Sequence, residues 1–132
     1  MDSLDILSEV LAEKEEESQR AIPTAWRWVL RSIANALAKK DYCLATAVPG
    51  VELASPDVAA HIQGSICGYG ETLVELSDET WKSSICMWYG THWEVLVDLW
   101  TLEAGRSDLV LSVSVTEAAS GIRFKVHMVY VP

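Results

Sequence analysis

Three histidines (His61, His92, His127) and three cysteines (Cys43, Cys67, Cys86) are the residues of this 132-residue chain suited to metal or nucleophilic chemistry. Their spacing supports neither. No HExxH or C-x-x-C pattern brings ligands together, so no metal and no cofactor is expected. A Cys–His pair such as Cys86 with His92 or His127 has no motif behind it. Carboxylate acid–base catalysis needs two carboxyl groups held in a cleft with separated pKa values. Glu94 and Asp98 lie four residues apart, which on a strand puts both on one face. Arg123 or Lys125 can serve them as cross-strand partners, so this is read as a solvated sheet face and the chain as a non-enzyme. Gly68-Tyr69-Gly70 follows a helical pattern instead of preceding one, so it terminates a helix and cradles no phosphate.

Tryptophan is the more informative residue. Six are present, and Trp81, Trp88, Trp93 and Trp100 fall within twenty residues. Trp93 and Trp100 are separated by an odd number, so a strand sends them to opposite faces. At least one large aromatic then sits on or near the open face beside Leu96, Glu94 and Asp98, unless the N-terminal helix folds over that face and buries it. The partner-binding candidates are Trp88 and Trp100 as apolar anchors, with Glu94, Asp98, Glu103 and Asp108 as acids. Glu103 and Asp108 belong to a connection, Thr101 to Asp108, in which Gly105 marks a turn and Arg106 can pair with either acid.

These residues need elements to place them. Leu4, Leu7 and Leu11 predict a helix over 4–19 whose Glu-rich end projects into solvent. Pro23-Thr24 opens a second helix, with Trp26, Leu30, Ile33 and Leu37 as its stripe and Lys39 and Lys40 in its last turn. Ser55-Pro56-Asp57 opens a third, buried through Val58, Ile62 and Ile66. From residue 71 the period changes to two. Runs at 84–89, 92–100, 109–116 and 122–131 are separated by turn signals and read as an antiparallel meander. The expected fold is α+β: about three N-terminal helices on one face of a C-terminal four-stranded antiparallel meander. It is one domain over 1–132, with an acidic helix at 1–20, a helical half at 21–70 and the sheet at 71–132.

Composition bounds the partners. Half the residues are apolar and 22% are charged, the profile of a folded domain. The net charge of −9 opposes binding to nucleic acid or anionic lipid. Residues 1–20 hold seven acids against two bases, more than half of that imbalance. No apolar run is long enough to span a membrane. The first residues lack the basic start and apolar core of a secretory signal, and unpaired cysteines suit a reducing compartment, so a cytoplasmic location is expected.

The segments Glu79-Thr80-Trp81-Lys82-Ser83-Ser84, His92 to Trp100, Gly105 to Leu111 and His127 to Pro132 resemble a small uncharacterised bacterial domain family. The resemblance covers residues 78–132. Small acidic domains of this kind are similar to immunity proteins, which neutralise a toxin domain delivered by a neighbouring cell. That resemblance implies a basic cognate toxin as partner and carries over no catalytic residue. The alternatives are a small ligand-binding domain or enzyme with a pocket between helices and sheet, or a dimerising interaction module.

Overall fold

The computed structural model describes residue 14 and residues 18–132. Most of the helix expected over 4–19 lies outside the described residues, and Ser18 and Gln19 take no regular structure. Among the described residues the order is α1 (Thr24–Ala38), α2 (Pro56–Tyr69), β1 (Leu73–Val74), a 3-10 turn (Asp78–Lys82), β2 (Ile85–Trp88), β3 (Trp93–Thr101), β4 (Gly105–Ala118) and β5 (Gly121–Tyr130).

Both described helices form where the sequence marks them. In α1, Trp26, Val29, Leu30, Ile33 and Leu37 are buried along one stripe. The helix ends at Ala38, so Lys39 and Lys40 fall just beyond it and not in its last turn. The Ser55 hydroxyl accepts from the Val58 N–H at 3.2 Å to cap α2, Pro56 occupies its first turn, and Gly70 closes it at φ +83°.

The sheet corrects the expected fold. It has five antiparallel strands in place of four, with two helices among the described residues in place of about three. β3 pairs with β4 along one edge, and β4 with β5. The other edge of β3 is shared: β2 pairs with Trp93–Leu96, and β1 with Trp100 and Thr101. A two-residue strand shows no period of its own, which is why β1 escapes a reading based on alternation. Between β1 and β2 the edge of β3 is satisfied by side chains. The Thr80 hydroxyl donates to the Asp98 carbonyl at 2.7 Å, and the Asp98 N–H donates to the Ser84 hydroxyl at 3.1 Å. Arg31 anchors this turn by donating to the Leu76 carbonyl at 2.8 Å and pairing with Asp78. The Arg27 and Arg31 guanidinium groups each lie 5.4 Å from the Trp81 ring centre.

A single apolar cluster joins α1, α2 and one face of the sheet. Trp93, Val95, Val97 and Leu99 of β3 point into it with Leu109, Leu111, Val113 and Val115 of β4. Trp26 meets Trp93 edge-on at 5.2 Å and Phe124 at 6.1 Å. No described helix is long and apolar enough to cross a membrane.

One irregularity matters for the site. Met128 pairs with Ser112 but Val126 with Val113, so β5 carries one extra residue, His127. This bulge reverses the alternation beyond it. Met128, in phase with Phe124 by sequence, is 40% exposed, while Val129 is fully buried.

Candidate functional site

The described helices cover one face of the sheet; on the other, Val110 is buried and the 3-10 turn lies beside Asp98 and Trp100, while Lys125 and Met128 are exposed. Pairing register places Glu94, Ser114 and Lys125 in one row across that open face, with Thr116 beside Arg123 in the next. On the other side of the Glu94 row lies an apolar strip. Leu96 pairs with Ile85 there, and Ser112 with Met128.

A hydrogen-bonded network occupies the polar half. Glu94 Oε1 accepts from Ser114 Oγ at 2.9 Å and contacts His92 Nε2 at 2.9 Å. His92 Nδ1 lies 2.9 Å from the Thr91 hydroxyl, and Tyr89 stacks on the imidazole with centroids 5.9 Å apart. On the opposite side Ser114 Oγ contacts His127 Nε2, which is 4.0 Å from Glu94 Oε1. Neither Arg123 nor Lys125 forms an ion pair with a described residue. The expected pairing of these cations with Glu94 or Asp98 fails because β4 lies between β3 and β5. Together these groups line a hollow of about 480 Å³, with Glu52 at its rim. Glu52 is brought there by a parallel bridge between Val51 and Phe124, its own N–H donating to the Phe124 carbonyl at 2.8 Å.

The six candidate residues do not form one surface. Trp88 shares the covered face with Trp93, their rings 4.6 Å apart, and the Lys14 ammonium lies 5.3 Å from its ring. Glu94, Asp98 and Trp100 share the open face. The Asp98 carboxylate accepts from the Ser83 hydroxyl. Trp100 lies against Gly105 and lines a second hollow of about 380 Å³ with Lys82, Ser83 and Arg106. Its enclosed Nε1 has no acceptor among the described residues. Glu103 sits at the β3–β4 turn, its carboxylate accepting from Thr72 N at 2.7 Å and Thr72 Oγ1 at 3.0 Å. The Thr72 amide and hydroxyl hold it below the usual carboxylate range against a smaller opposing effect of burial. Asp108 is exposed beside the end of α2, its N–H donating to the Tyr69 hydroxyl at 3.1 Å. Arg106 pairs with neither Glu103 nor Asp108; it stands opposite Trp100 in the ladder.

The considered Cys86–His pairing does not form either. Cys86 pairs with Val95 and faces the core, whereas His92 and His127 meet on the open face. Burial pushes its thiol up to about 12, so it is protonated at neutral pH. Among the described residues no group of three or more His, Cys, Asp or Glu is placed to hold a metal ion.

The sequence reading missed the network around Ser114. One signal was present: His92 and Glu94 are two apart, so a strand puts them on one face. The bulge that adds His127, and the register that adds Ser114, are tertiary facts. The geometry thus defines an α+β domain whose described helices lie on one face of an antiparallel sheet. Residues 34–132 match the family described as a domain of unknown function (DUF7668), and the chain belongs to that family. No curated protein and no solved structure matches the chain.

Proposed function

We propose that this chain is a binding protein of the immunity type, which holds a basic toxin domain against the open face of its sheet and so blocks it. The observation that carries this reading is the apolar strip on the sheet face away from the described helices. Ile85, Met87, Leu96 and Met128 lie on the sheet face away from the described helices, with Asp98 and Trp100 beside the 3-10 turn at its end. Aromatic and aliphatic anchors with a polar rim are what a partner-binding surface requires. The acids are not massed on this face, since Lys82, Arg106, Arg123 and Lys125 share it. Attraction of a basic partner therefore comes from the whole-chain charge of −9, more than half of it in the first twenty residues.

The test is co-expression with the product of an adjacent toxin gene, together with binding by the purified pair. Leu96→Arg and Met128→Arg place a cation on the strip at half-buried and exposed positions. Each is expected to weaken binding at least about tenfold and abolish protection. The wild-type on-rate should fall as salt rises. An adjacent gene product that does not bind, or variants that protect as wild type does, would overturn the reading.

A further inference from the structure

Two cations with no ion-pair partner among the described residues stand opposite a carboxylate engaged through one oxygen. Arg123 and Lys125 are two apart on β5, project from the same face, and pair with no described acid. They stand across the 480 Å³ hollow from Glu94, already engaged by Ser114 and His92. A guanidinium fork beside an ammonium matches the geometry and charge of an oxyanion. The Thr116 hydroxyl, paired in register with Arg123, adds a third donor on that side. The opposite wall differs in kind. Glu94 on β3 supplies an acceptor there, while Glu52 and His127 lie on the β5 side, beside the two cations. The volume falls in the range of small-molecule sites.

We propose that this hollow binds a small polyol bearing one oxyanion, a sugar phosphate or a sugar acid. Its anionic end lies against Arg123, Lys125 and Thr116, and its hydroxyls reach Glu94 across the hollow and Glu52 and His127 along β5. Phosphate and carboxylate share the recognition chemistry, so separate probes distinguish them. The site is independent of the toxin reading: binding is measured on the isolated chain, and either proposal can fail alone.

The experiment follows the imidazole and backbone NMR resonances of the purified chain during titration with ribose 5-phosphate, gluconate, ribose and inorganic phosphate. Saturable shifts at His92, His127 and Ser114 are expected with one of the two oxyanion-bearing polyols, and more weakly or not at all with ribose or phosphate alone. Lys125→Gln, at an exposed position, and Arg123→Gln should each weaken that binding at least tenfold while leaving the remaining resonances in place. His127→Ala should weaken the polyol far more than inorganic phosphate. No saturation by either oxyanion-bearing polyol overturns the proposal, as does saturation that survives both cation variants. Inorganic phosphate binding as tightly as the better polyol removes the hydroxyl-reading wall and overturns it too.

Discussion

Asp41 shows how one side chain can set the acid response of a segment. It follows α1 and gathers the loop after it, accepting from Thr46 Oγ1 at 2.6 Å, Thr46 N at 2.7 Å and Ala45 N at 3.2 Å. The Thr46 hydroxyl, then burial acting in the opposite sense, then these backbone amides set its carboxyl below the usual 3.8. A carboxylate whose folded pKa is depressed stabilises the fold above its unfolded pKa and loses that contribution as pH falls through the folded value. The group is solvent-accessible, so screening limits the contribution to about 0.5 kcal/mol. Asp41→Asn should therefore lower Tm by about 2 °C at pH 7. That gap should narrow as pH falls below the usual carboxylate range and the wild-type carboxyl becomes protonated as well. Melts of both proteins across this range check it, and a gap that persists in acid would exclude the mechanism. Glu103, depressed in the same direction by Thr72, titrates in both proteins and cancels from the comparison.

Among the elements, β5 separates the period of the sequence from the period of the structure. Continued alternation would bury Met128 and expose Val129; the extra residue His127 reverses both. Met128→Ser should cost no more than about 0.5 kcal/mol, because it changes an exposed position. Val129→Ala should cost about 2 kcal/mol, as lost apolar burial and a cavity add together. Urea denaturation of the two variants distinguishes the readings, since an unbulged strand gives the opposite order. The same residues show what was legible. Long periodic segments such as α1, β3 and the first half of β5 follow from hydrophobic spacing, and α2 from its caps, because each signal is local. A two-residue β1, the Thr80 and Ser84 hydroxyls that complete the β3 edge, and the bulge at His127 depend on partners distant in the chain. The site divides in the same way: His92 with Glu94 is a local pattern, whereas Ser114 and His127 join them only through pairing across β4 and β5. The expected Glu94–Lys125 contact failed because sequence fixes which residues share a face but not how many strands lie between them.

For the molecule as a whole, the boundary of the family match and the boundary of the core do not coincide. The match begins at residue 34, inside α1, whereas the cluster that covers the sheet begins with Ile22 and includes Trp26, Val29, Leu30 and Ile33. All five are buried, and Trp26 is the ring that closes over Trp93 and Phe124. Full burial of a large apolar side chain stabilises by about 1.5–3 kcal/mol. Five of them reach the order of a domain's entire net stability, about 5–15 kcal/mol. Arg27 and Arg31, which pack on Trp81 and hold the turn between β1 and β2, lie in the same stretch. A chain of residues 34–132 alone should thus show no cooperative thermal transition and should bind a dye for exposed apolar surface. A chain of residues 18–132 keeps every one of these contacts, and also the pairing of Arg20 with Cys86 at the edge of β2. It should melt cooperatively. If the shorter chain melts as sharply as the longer one, the first two-thirds of α1 is an accessory and the sheet needs only α2 and the last turn of α1 to cover it.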